Sequence, residues 1–180
     1  AVGNAKCKAH VQCDSIIMGN AHIRSIPEIA ANHCEANIVH EAAIGRINNA
    51  EELIEKHLTK GGHFGVMTGG KVNSTDLVAA LINEKSTFAE GIEYVHDVVE
   101  GTVSILILTN EGKLIAARDK VGRLPILIGS NEDGYAVSFE DFAYKKMGYD
   151  DEMELGPGEA VEITLDGIKQ IVKPGKEMKI

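Results

Sequence analysis

The sequence has no tryptophan, and its aromatic residues amount to 4% of the chain, so no platform is visible on which successive bases could stack. Basic residues are scarce as well. Against 27 Asp+Glu stand 18 Lys+Arg, a formal net charge of −9. That balance excludes a sequence-independent nucleic-acid binder, which needs a basic face to displace counterions from phosphate. No apolar run approaches the ~20 residues of a membrane helix, and the chain does not open on a signal-peptide pattern. The expectation is a cytoplasmic protein that meets neither nucleic acid nor membrane. The three cysteines, Cys7, Cys13 and Cys34, cannot all pair within the chain and read as reduced thiols. They form no CxxC, and the seven histidines form no HExxH. His10, His22, His33 and His40 do fall with the cysteines in the first quarter, but at irregular spacing, so neither a metal nor another cofactor is expected.

What is present suits one core. A chain of 180 residues with 44% hydrophobic content reads as a single domain over residues 1–180. Ala1–Gln12 shows no clear period. Ser15–Met18 and Asn37–His40 are short apolar runs of strand type, the second extending into Ala42–Gly45, with irregular sequence between them. Asn49 is placed to cap a helix with Glu51 and Glu52 in its first turn and Leu53, Ile54, His57 and Leu58 inward. Gly61-Gly62 ends it. After a glycine-rich loop, Gly65–Gly70, Ser74 or Thr75 caps a helix with the stripe Leu77, Val78, Leu81 and Ile82, and Phe88–Glu100 repeats the helical period. That loop lacks the Gly-Lys-Ser/Thr of a phosphate loop, although its backbone N–H groups could hold a carboxylate.

From Gly101 the period changes. Thr102–Thr109 is a continuous β-branched run, read as a buried central strand, and Asn110–Gly112 is its hairpin turn. Leu114–Ala117 and Ile126–Ile128 then read as two arms of a hairpin around Gly122, with Pro125 fixing the start of the second arm. The charged pair between them, Arg118-Asp119, reads as an ion pair that pins the turn. Asn131–Gly134 turns into Tyr135–Ser138, Asp141–Met147 is a short helix, and Leu155–Glu159 turns into the strand Ala160–Leu165. Strands, then helices, then antiparallel hairpins predict an α+β sandwich with helices outside paired sheets.

Three ordered motifs carry a resemblance: Arg118-Asp119-x-x-Gly122-Arg123-x-Pro125, Tyr135–Glu140 and Leu155-Gly-Pro-Gly-Glu159. Together with Gly45–Leu53, a loop-to-helix segment, they resemble the glutaminase domain of amidophosphoribosyltransferase, a class II, N-terminal-nucleophile glutamine amidotransferase. The matches run from Gly45 to about Gly167. The resemblance implies a four-layer α/β/β/α sandwich. It also implies an N-terminal Cys that attacks the glutamine side-chain amide, with its own α-amino group as base. An Asn side chain and a Gly N–H would stabilise the oxyanion. An Arg and an Asp would hold the substrate's α-carboxylate and α-amino groups, and the released ammonia would serve purine biosynthesis on a phosphoribosyltransferase domain or subunit.

This sequence departs from that pattern. Residue 1 is Ala1, and no cysteine is followed by the family's Gly; Ile44 stands where the oxyanion Asn would be, and Ser74 where the substrate Asp would be. Ala21-His-Ile-Arg24 is a faint version of the family's Gly-His-x-Arg. Arg24 and Gly45 are therefore the residues the resemblance transfers as substrate-binding, and no catalytic residue is assigned. The strands expected before the Arg motif and the phosphoribosyltransferase part are not found in the sequence. Glutamine or a related small molecule is the expected ligand, and a homo-oligomer is compatible with the pattern. The second reading is a catalytically silent domain that binds a metabolite or a partner subunit; on this sequence the chain alone is expected not to hydrolyse glutamine.

Overall fold

The computed structural model of the chain describes residues 8–12, 15–19, 38–64, 67–68 and 71–175, with side chains from residues 42–64 and 71–175. Two five-stranded antiparallel sheets make the frame. The first has the order β1 (Lys8–Gln12), β2 (Ser15–Gly19), β9 (Gly134–Ser138), β8 (Leu127–Asn131), β10 (Asp150–Glu154). The second runs β12 (Gly167–Val172), β11 (Ala160–Thr164), β7 (Leu114–Ala117), β6 (Gly101–Thr109), β3 (Ile38–Ile47). A two-stranded ribbon, β4 (Met67–Thr68) with β5 (Lys71–Val72), stands apart.

The layers follow from the pleat. Alternate residues of β6 face opposite ways. Val103, Ile105 and Ile107 pack on Leu77, Val78 and Leu81 of α2 (Ser74–Asn83) and Ile92 and Val95 of α3 (Phe88–Val98). Leu106 and Leu108 pack the other way, with Leu114 and Ala116, on Ile126, Ile128, Val137 and Leu155 of the first sheet. On that sheet's outer face α4 (Asp141–Lys145) seats Tyr144 against Ala136 and Tyr149. The helix α1 (Ala50–Thr59) completes the helical layer through Leu53. Glu84 holds it there, accepting from Lys60 Nζ at 2.7 Å and lying 3.1 Å from His57 Nδ1. The architecture is the α/β/β/α sandwich expected from the sequence.

The main correction concerns the stretch after β7. Leu114–Ala117 and Ile126–Ile128 are not two arms of one hairpin, and β6 is flanked by β7 and β3 rather than by both arms. β7 already has its hairpin partner in β6 through Asn110–Gly112, and β8 has its own in β9 through Asn131–Gly134. The segment 118–125 is thereby left to cross from one sheet to the other. A short run that is apolar on both faces does not say which sheet it joins, and that is why periodicity misassigned it.

Smaller differences have local causes. The cap of α2 is Asn73, whose Oδ1 accepts from Asp76 N at 3.0 Å, rather than Ser74 or Thr75. Asn49 is the N-cap residue of α1, its carbonyl accepting from Leu53 N at 3.1 Å, but its side chain makes no cap bond: its Nδ2 donates to Val98 O and its Oδ1 accepts from Glu100 N, both at 2.9 Å, tying α1 to the α3–β6 junction. Leu58, expected inward, is 49% exposed. β10 was not expected, because Asp150, Asp151, Glu152 and Glu154 give it an acidic, exposed character that suits an edge strand. Residues 20–37, and positions 65, 66, 69 and 70 of the glycine-rich loop, lie outside the described residues.

Candidate functional site

The motif Arg118-Asp119-x-x-Gly122-Arg123-x-Pro125 forms the crossover between the sheets. Gly122 has φ +67°, which a side chain rarely tolerates, and it lets the chain reverse there. Asp119 is 1% exposed. Its carboxylate accepts from Val121 N (3.0 Å), Arg123 N (2.9 Å) and Leu124 N (3.4 Å), so it gathers the loop's backbone donors around one side chain. Its backbone N–H donates to Ser104 Oγ of β6 at 3.3 Å, and its carbonyl accepts from Gly122 N and Gly158 N, both at 2.9 Å.

Arg118 faces a different set of partners. Its guanidinium donates to Leu124 O (2.9 Å), Gly122 O (2.9 Å) and Leu155 O, and pairs with Glu154 at 3.0 Å. It therefore fastens the crossover to the end of β10 and to the Leu155–Glu159 turn. Arg118 and Asp119 are not an ion pair with each other, contrary to the reading from sequence: adjacent side chains diverge, and each finds carbonyls or N–H groups of the loop instead. The second motif closes the same knot. Glu159 is buried; its carboxylate accepts from Gly156 N at 2.7 Å and from Gln170 Nε2 of β12, and its carbonyl accepts from Arg118 N at 2.9 Å. Lys120 reaches the end of α3 and donates to His96 O (2.7 Å) and Val99 O (3.1 Å), a cation on the negative end of a helix.

Beneath Lys120 lies His96, buried on α3, with no hydrogen-bond partner for its Nε2 among the described residues. Burial pushes its imidazole below the ordinary histidine value; nearby Asp119 and Asp97 oppose this, and Lys120 adds to it. The unfolded chain takes up a proton at this side chain as pH falls through about 6.5, whereas the folded chain resists until a lower pH. Stability that is fully present above that value is therefore lost as pH falls towards the folded value. We expect the melting midpoint to drop between about pH 7.5 and 5.5, with part of that drop absent in His96→Leu. Equal slopes in the two proteins would remove His96 from the acid sensitivity.

Of the two residues expected to bind substrate, Gly45 lies away from this knot, within β3. Arg24, Cys7, Cys13 and Cys34 lie outside the described residues, so no cysteine is among those described. Gly45 sits within β3 opposite Val103, Ile44 opposite Ser104, and Ser74 is the exposed first residue of α2. Sequence reasoning missed Lys120, Glu154 and Gln170 as knot members. Lys120 lay unnoticed at an unspecified position of the motif, whereas Glu154 is 36 residues from Arg118 and only the fold brings it and Gln170 there. A separate cleft of about 390 Å³ opens between the α2–α3 loop and the β6–β7 hairpin, bordered by Lys85, Thr87, Phe88, Lys113 and Glu162. Its lysines are engaged, Lys113 with Glu111 (2.9 Å) and Lys85 over the Tyr94 ring (4.1 Å).

No family model matches the chain. Among curated proteins, the amidophosphoribosyltransferase of Methanocaldococcus jannaschii is 33% identical over 119 residues, 66% of this chain and 25% of that protein. An iron–sulfur cluster assembly SufBD family protein of Pyrococcus horikoshii is 43% identical over 54 residues, 29% of this chain and 17% of that protein. Among solved structures, the glutamine phosphoribosylpyrophosphate amidotransferase of B. subtilis, complexed with ADP and GMP, superposes with a TM-score of 0.63 at 29% identity. That match covers 72% of this chain and 28% of the other. The chain thus spans about a quarter or less of the length of these two curated relatives.

Proposed function

We propose, from the premise that this chain is a divergent class II, N-terminal-nucleophile glutamine amidotransferase domain of the amidophosphoribosyltransferase-like kind, that it takes up glutamine on behalf of purine biosynthesis. One observation carries the proposal. The ordered motifs of that family form a single physical object here, the knot of Arg118, Asp119 and Glu159 that locks the two sheets of the sandwich together. That these motifs share one structural role in the frame from α1 to β12 supports the reading. Ammonia freed from glutamine would pass to a phosphoribosyltransferase domain or subunit, and Arg24 would meet the substrate carboxylate.

The second reading, a domain that holds glutamine or a related metabolite without chemistry, is favoured by two positions. Ile44 offers no amide to an oxyanion, and Ser74 offers no carboxylate to an α-amino group. Loss of one oxyanion donor alone costs about 10²–10³ in turnover. For this chain by itself we expect glutamine binding without hydrolysis. The test measures glutamine binding by calorimetry and ammonia release by a coupled assay, on the chain and on its Cys7→Ser, Cys13→Ser, Cys34→Ser variant. Heat of binding with no ammonia from either protein fits the expectation. Ammonia release that disappears in the triple variant would identify a cysteine nucleophile and restore the hydrolytic reading. Neither binding nor release would remove glutamine from the account.

A further inference from the structure

We infer that the Leu155–Glu159 turn is a clip: it seats the segment that leaves β12, Lys173–Gly175, on the crossover knot, and strap and knot loosen together. Most of the turn is engaged with the crossover. Leu155 gives its carbonyl to the Arg118 guanidinium. Pro157 lies against the bare face of Gly122, where a Cβ would stand 2.8 Å from the ring's Cγ. Gly158, at φ +72°, turns the chain so that its N–H reaches Asp119 O at 2.9 Å. Glu159 takes Arg118 N on its carbonyl at 2.9 Å, and its carboxylate closes the turn on Gly156 N at 2.7 Å. Two features of the turn have no part in this: the missing side chain of Gly156 and the carbonyl of Pro157.

The strap uses both. Gly175 N donates to Pro157 O at 2.7 Å. A Cβ on Gly156 would stand 2.8 Å from Pro174 Cβ, so Pro174 fills the space that a side chain at 156 would need. Gly156 is not among the glycines of positive φ, so its bare face answers to Pro174 and not to the backbone conformation. Lys173, Pro174 and Gly175 are exposed, which leaves the Gly175–Pro157 hydrogen bond and the seat of the Pro174 ring to hold them.

So small a hold can open while both packed layers of the core stay closed. Opening frees one side of the turn, and the turn's remaining contacts are those of Arg118, Asp119 and Gly122. The looseness therefore passes into the crossover between the sheets. The strap is a conformational device of the fold: a displacement of residues 173–175 is felt at the knot, although Arg118 is 57 residues away in sequence from Gly175.

Amide exchange followed by NMR on the unmodified chain, Gly156→Ala and Gly175→Pro tests the clip. Alanine at 156 displaces Pro174 without forbidding the backbone of the turn. Proline at 175 removes the N–H that Pro157 O accepts and leaves residue 156 as it is. In Gly156→Ala the Gly175 amide should exchange at least about fivefold faster, the loss of one backbone hydrogen bond. In both variants the amides of Gly158 and Arg118, which bond to Asp119 O and Glu159 O, should exchange at least about threefold faster, with β6 amides at their original rates. Unchanged Gly158 and Arg118 amides in both variants would make the strap a loose end and overturn the inference. Equal acceleration in β6 would also overturn it, since the turn would then be part of the cooperative core. Glutamine takes no part in the measurement, so its outcome is separate from the glutamine-binding reading.

Discussion

Ile105→Ala and Leu106→Ala should each destabilise the fold by about 2–5 kcal/mol, although the two side chains are neighbours and point in opposite directions. Ile105 enters the layer between the second sheet and the helices, where Leu77, Val78 and Ile92 surround it. Leu106 enters the layer between the sheets with Leu114, Ile126 and Val137. Each truncation leaves a cavity in a packed layer that relaxes only in part. A strand with one wet face would behave otherwise, because an outward leucine costs within about 0.5 kcal/mol when shortened. Urea unfolding should show both midpoints displaced to lower concentration with little change in slope. A near-neutral Leu106→Ala would mean that the first sheet does not cover β6.

Asp119→Ala should be as damaging, through a different mechanism. The carboxylate is buried and accepts from three backbone N–H groups of the crossover. Alanine leaves those donors facing one another with no acceptor, at about 1–3 kcal/mol for each one that water cannot reach. They share one side chain and part of the loop can relax, so the costs do not simply add. A total of about 3–5 kcal/mol, or roughly 10 °C in melting temperature for a chain of this size, is expected by scanning calorimetry. Asp119→Asn keeps one acceptor oxygen but turns an amide N–H₂ towards a backbone donor, so its midpoint should fall between those of wild type and Asp119→Ala.

The sandwich was legible in the sequence because period and punctuation agreed. The helical stripes Leu77-Val78-Leu81-Ile82 and Ile92-Val95-His96 are buried as expected. The β-branched run after Gly101 became a strand buried on both faces. What could not be read was partnership. The segments Leu114–Ala117 and Ile126–Ile128 look alike in hydropathy, and only the hairpin turns before the first and after the second send them to different sheets. β10 is too acidic to show a strand period, and the charged pair Arg118-Asp119 gave no sign that each residue would bond to loop backbone rather than to the other. The knot was visible as a motif but not as a geometry, since Glu154 and Gln170 arrive from distant strands and Glu159 from a distant turn. The expected substrate residues rested on resemblance alone.

Whether Arg118 and its neighbours hold the two sheets together or hold a substrate is decided by measuring both properties on one variant, Arg118→Met. Methionine keeps much of the stem but cannot donate to Gly122 O, Leu124 O and Leu155 O or pair with Glu154. The melting midpoint should fall by several degrees, while glutamine affinity measured on the folded protein, well below that midpoint, stays within about twofold. An unchanged midpoint together with lost glutamine binding would contradict this, and would make the crossover a substrate site.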